Sequence, residues 1–89
     1  MNEMAITPEE IRRTIEAGIV CEHVAVDGDG RHFQALIVSA AFTGLSKVRQ
    51  HQLIYGVLGE RMREEIHALS MQTLTPAQWR AVASAPGQG

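Results

Sequence analysis

The stretch from Phe42 to Trp79, FTGLSKVRQHQLIYGVLGERMREEIHALSMQTLTPAQW, decides the fold. In its first part Val48, Leu53, Ile54, Val57, Leu58 and Met62 recur at helical spacing, with Lys47, Arg49, Gln52, Glu60, Arg61 and Glu64 largely off that stripe. Ser46 is placed to cap this helix, and the spacing predicts a run to about Glu64 with a break near Gln50. Gly56 and Gly59 each weaken it by up to ~1 kcal/mol relative to alanine, and the pair reads as permitting close packing against a sheet. Ile66 to Leu74 then alternates as a strand that opens with His67. Thr75-Pro76-Ala77-Gln78 supplies a cap, a proline for the first helical position and a side chain that can bond back, so a last helix starts there. Trp79, Val82 and Ala83 are its expected buried face.

Upstream, Thr7-Pro8-Glu9-Glu10 uses the same device, and a first helix is predicted from Pro8 to about Ala17 with Ile11 and Ile15 inward. Gly18 stands where a left-handed C-terminal cap belongs, and Arg12 and Arg13 read as a solvated face. Residues 21–27, CEHVAVD, and 31–39, RHFQALIVS, are β-rich runs separated by Gly28-Asp29-Gly30, which indicates a hairpin. In the second run Phe33, Ala35 and Ile37 share the better core face. The order is therefore αββαβα. A long helix between the second and third strands favours a parallel pair beside the antiparallel hairpin, giving an α+β protein with a mixed three-stranded sheet and helices packed on one face.

The chain has 89 residues, enough for one modest core, since splitting into domains begins beyond roughly 250. Residues 6–83 are expected to form that domain, with 1–5 as a flexible start and 84–89 as a fraying tail. A hydrophobic share of 45% is that of a globular protein, and its core must be aliphatic because the aromatic residues are only Phe33, Phe42, Tyr55 and Trp79. Ten acidic against eight basic residues leave a net charge of −2, so any nucleic-acid surface has to be local. Cys21 is the single cysteine, which excludes an internal disulfide and suits a reducing compartment such as the cytoplasm. No window approaches the ~18 apolar residues of a membrane span, and the acidic start is unlike a signal peptide.

Candidate chemistry centres on His23, His32, His51 and His67, with Cys21 beside them. No pair has zinc-finger or HExxH spacing, so spacing alone is a weak metal signal. If the second and third strands are parallel neighbours, His32 and His67 start at the same edge of the sheet. A lone histidine at such a junction is more often a capping or half-buried polar group than a ligand, so the residues by themselves leave both roles open. Ser39, Ser46, Ser70 and Cys21 lack a catalytic acid partner, Gly28-Asp29-Gly30 lacks the context of a phosphate loop, and no acid, base and nucleophile set can be assembled for an enzyme. Lys47, Arg49 and His51 at the start of the long helix are the local nucleic-acid candidates, against the acidic end Glu60, Glu64 and Glu65.

Phe42-Thr43-Gly44, His51-Gln52-Leu53-Ile54-Tyr55, Ile66-His67-Ala68-Leu69 and Thr73-Leu74-Thr75-Pro76-Ala77-Gln78-Trp79, in that order, closely resemble the BolA-like family. The short Gly28-Asp29-Gly30-Arg31-His32-Phe33 turn is most similar to its IbaG branch. The resemblance covers about His23 to Trp79 and implies a class II KH-like fold with a short extra helix before the long one. It also implies a partner, a monothiol CGFS-type glutaredoxin, bound without cofactor or through a shared [2Fe-2S] cluster that glutathione helps to hold. His67 matches the family's C-terminal ligand, and His32 the position of a second ligand; the isolated chain, a monomer or weak homodimer, is expected to carry no cluster. Imidazole ligation raises a cluster's potential and makes it proton-sensitive. Where the family's DNA-binding members have Arg-His-Arg, this chain has Gln50-His51-Gln52, which weakens the nucleic-acid alternative; Cys21 falls outside the expected ligand loop.

Overall fold

The computed structural model describes residues 6–66 and 68–83. Thr7 opens helix α1 (Pro8–Gly18) with a full capping box, each backbone N–H of Thr7 and Glu10 donating to the other's side-chain oxygen at 3.1 Å. Ile11 and Ile15 are fully buried, each contributing ~1.5–3 kcal/mol by leaving water. On the outer face Arg12 pairs with Glu9 and Glu16, and Arg13 with Glu9, the solvated face expected of them. Gly18 is not left-handed; it is the last helical residue, and the extended Ile19 is the cap. A Cβ at Gly18 would stand 2.3 Å from Val57 Cγ1, so the glycine is there because α1 meets the long helix closely.

Strands β1 (His23–Gly28), β2 (His32–Val38) and β3 (Ala68–Leu74) form one sheet in that order, β1 antiparallel and β3 parallel to β2. Phe33, Ala35 and Ile37 of β2 are buried against Ile11, Ile15, Phe42, Ile54 and Leu58 as the alternation requires. Ser39 caps a single 3-10 turn, Ala40–Phe42, that drops Phe42 into this core. The α+β order αββαβα with its mixed sheet is thus as the sequence predicts, and the short extra turn is the one the resemblance implies.

Helix α2 (Lys47–Glu65) starts at the Ser46 cap and runs unbroken through Gln50. Its interruption lies instead at Gly59, whose φ of 84° and ψ of 161° are outside the helical region and are tolerated by glycine alone at low cost. Among the described residues nothing stands within 4 Å of a Cβ built at Gly56 or Gly59, so this pair does not serve close packing against the sheet. Ile54 and Leu58 are buried and Leu53 and Met62 are half-buried, but Val48 is 66% exposed. The inward position in that first turn belongs to Gln50.

Thr75 and Gln78 cap one another at the start of helix α3 (Pro76–Ala83), through bonds of 2.9 and 3.2 Å. Of its expected buried face only Trp79 is partly covered; Val82 and Ala83 are exposed. The helix is short and, among the described residues, has no buried apolar stripe; Trp79 stacks on His23, centroids 5.0 Å apart and planes 12° apart. Val38 and Leu74, in register with each other and with His23, are buried at the same end of the sheet, outside the main cluster. Among the described residues no helix is long and apolar enough to cross a membrane.

Candidate functional site

The sheet has two ends with different chemistry. At the first, β1 turns into β2 through Asp29. Its Oδ1 accepts the backbone N–H of Arg31 and of His32, both at 2.9 Å, an Asx-type turn that its short side chain is suited to make. These N–H donors, His32 first and Arg31 second, hold the Asp29 carboxyl below its ordinary range. The imidazole of His32 rises beside it, with Nδ1 3.8 Å from Asp29 Oδ2, and both side chains are well exposed at 75% and 70%. Asp27, Gly28, Asp29, His32 and Gln34 line a shallow recess at this rim.

The parallel pairing brings β3 to the same rim. His32 is in register with Ala68, and the Ala68 N–H donates to the Arg31 carbonyl at 3.1 Å. His67, the residue before Ala68, lies outside the described residues, as do residues 1–5 and 84–89 for which a flexible start and a fraying tail are expected. Among the described residues no three His, Cys, Asp or Glu side chains are grouped to hold a metal, so His32 could ligate one only together with donors from elsewhere. As a donor it is suitable: an exposed imidazole on a strand end, with a carboxylate oxygen 3.8 Å from its Nδ1.

The opposite end is closed by Gln50. Its Nε2 donates to the carbonyls of Leu45 at 2.9 Å and Phe42 at 3.3 Å, and its Oε1 accepts the Thr73 hydroxyl at 2.5 Å. With Gln50 4% and Thr73 1% exposed, a polar side chain ties the Phe42-Thr43-Gly44 loop, α2 and β3 together inside the protein. Ser39 acts similarly, donating from Oγ to the Val20 carbonyl at 2.6 Å. Lys47 donates from Nζ to the Thr73 carbonyl. Of the nucleic-acid candidates, Lys47 and His51 share a groove with Met71, Thr73 and Gln78 beside β3, while Arg49 is exposed and does not line it.

His23 is on the Trp79 stack and takes no part in the rim. Cys21 is half-buried, its Sγ 3.6 Å from the Ile19 carbonyl, and burial with the nearby Glu16 charge pushes its thiol up, as fits an unreactive side chain. Sequence reasoning treated Asp29 only as a turn-former and did not single out Gln50 as buried. Signals for both exist: Asp29 stands two residues before Arg31, the reach of an Asx turn, and so beside His32, and Gln50 stands four before Ile54 and eight before Leu58, on the inward line of the helix.

A family model described as BolA-like protein matches residues 5–78. BolA-like protein 1 from Homo sapiens is 38% identical over 78 residues, 88% of this chain and 55% of that protein; the chain thus spans about half the length of such relatives. The acid stress protein IbaG of Escherichia coli (strain K12) is 39% identical over 71 residues, 79% of this chain and 84% of that protein. The structure of a BolA homologue from Coxiella burnetii superposes with a TM-score of 0.75 at 36% identity, covering 84% of this chain and 97% of that one. With the family model spanning most of the chain and the same fold in its relatives, the chain belongs to the BolA-like family.

Proposed function

We propose that this protein is a non-enzymatic adaptor that docks a monothiol CGFS-type glutaredoxin and supplies His32 and His67 to a [2Fe-2S] cluster shared with the glutaredoxin and glutathione. The observation that carries the reading is the register at the rim: His32 is paired with Ala68, the residue that follows His67 in the chain. Two histidines from neighbouring parallel strand starts, with the remaining ligands from a partner, give the mixed donor set that a proton-sensitive, transferable cluster requires. The short Asp29 turn favours the IbaG branch, and with it a role in iron-sulfur handling under stress in the cytoplasm. Reconstituting the cluster on a glutaredoxin with glutathione, with and without this chain, tests it by visible absorption and circular dichroism. The mixture should show a spectrum distinct from that of glutaredoxin alone, and both His67→Ala and His32→Ala should change it. A mixture identical to glutaredoxin alone refutes the adaptor.

A second reading, a KH-like nucleic-acid-binding regulator, is favoured by the groove that Lys47 and His51 share along β3. Against it, Gln50 is buried and cannot meet a phosphate, and Lys47 is already engaged by Thr73. A salt-dependent gel shift with DNA or RNA, weakened in Lys47→Ala with Arg49→Ala, is the outcome this reading requires.

A further inference from the structure

We propose that Asp29 is a positioning residue for His32: locked by the turn, its carboxylate keeps the proton of the neutral imidazole on Nδ1 and leaves the Nε2 lone pair as the donor. This rests on the reading of His32 as a ligand. A neutral histidine can carry its proton on either nitrogen, and a free side chain prefers Nε2, which would block that atom for a metal. Here one oxygen of Asp29 is fixed by two backbone N–H groups, from Arg31 and His32. That leaves the other oxygen held at the Nδ1 side of the ring, 3.8 Å away, where an anion favours N–H over a lone pair. Among the described residues no hydrogen bond occupies Nε2 of His32. A carboxylate that both builds the turn and selects the tautomer gives a strand-end histidine a defined donor atom before any partner arrives, which lowers the ordering cost of ligation.

The prediction separates charge from shape. In Asp29→Asn the amide oxygen can still accept both backbone N–H groups, so the turn is kept, but the positive side of the amide N–H₂ now faces Nδ1 and favours a lone pair there. The tautomer then inverts to Nε2–H. Asp27→Asn removes the same charge from the same recess without touching the turn, because Asp27 bonds only the N–H of Gly28 there. Long-range ¹H–¹⁵N correlation spectra of the full chain, recorded where its imidazoles are neutral, read the tautomer of His32 directly. We expect a majority of Nδ1–H in the wild type and in Asp27→Asn, and a majority of Nε2–H in Asp29→Asn. Identical ratios in wild type and Asp29→Asn overturn the proposal, as does an inversion of equal size in Asp27→Asn.

The shared-cluster spectrum with glutaredoxin and glutathione then distinguishes this inference from the reading beneath it. If Asp29→Asn inverts the tautomer and perturbs the spectrum in the direction of His32→Ala, both stand. If the tautomer inverts while neither variant alters the spectrum, tautomer selection by Asp29 is supported and His32 is not a ligand.

Discussion

The two ends of the three-stranded sheet are built from the same strands and spend their polar groups in opposite ways. At the end where β2 and β3 finish, buried Gln50 and Ser39 donate to backbone carbonyls, buried Thr73 donates to Gln50, and Trp79 covers the sheet through His23. At the end where those strands begin, Asp29 and His32 stand in water, and the Asp29 side chain shapes a turn rather than a core. The first arrangement fixes geometry, since each buried donor or acceptor would be costly if unpaired. The second leaves an imidazole open to a partner while the strand beneath it is held by the Phe33 and Ile37 burial. Substitutions at the closed end should therefore cost stability, and those at the open end should cost function.

The closed end is most vulnerable at Gln50. Gln50→Ala strands the Thr73 hydroxyl and takes a donor from the Leu45 carbonyl, while the Phe42 carbonyl keeps only the N–H of Leu45, for a loss of about 3 kcal/mol. Urea denaturation followed by circular dichroism reads it, and a change below a few tenths of a kcal/mol would show that the closed end does not depend on this side chain. Trp79→Ala is expected next, at about 2 kcal/mol, because α3 has no buried stripe to replace the ring. Hydrogen exchange should then accelerate in α3 more than in α1, whose Ile11 and Ile15 are untouched.

What could be read in the sequence follows the same division. The capping boxes at Thr7 and Thr75, the alternation of β2 and the parallel pairing across α2 are local or period-driven, and all are present. Errors arise where a residue's role depends on what comes near it in space. Gly18 looks like a cap but makes room for Val57; Gly59 looks like a packing residue but turns the chain; Val48 keeps the helical period and is nevertheless exposed. The rim is half legible. The meeting of the strand starts follows from topology, yet Asp29 facing the ring of His32 depends on a turn geometry that the letters DGDGRH permit without specifying.

Gly59 belongs to the open end, since the helix turns there before the chain returns to the rim. Gly59→Ala places a Cβ at positive φ and should cost about 1 kcal/mol, less than either change at the closed end. A stabilising effect instead would mean that the helix prefers to continue straight through this position. At the rim itself, His32→Ala should leave the urea midpoint unchanged, because the exposed ring adds no buried contact.

Asp29 should give a small pH-dependent effect at the same rim. Its carboxyl is held below the ordinary value by the N–H groups of His32 and Arg31, so the folded state binds its proton less readily than the unfolded chain. The associated stability is fully present above the unfolded aspartate value of about 3.9 and is lost as pH falls from there through the depressed folded value. Asp29→Asn removes this dependence but can keep the turn, so wild type and variant should differ most at neutral pH and converge in acid. Paired urea titrations at neutral pH and in strong acid measure the difference directly. Because both side chains at the rim are exposed, added salt should shrink it, whereas the cost of Gln50→Ala at the closed end should be insensitive to salt. A salt-independent effect at Asp29 would place the carboxylate in the fixed part of the protein and erase the contrast between the two ends.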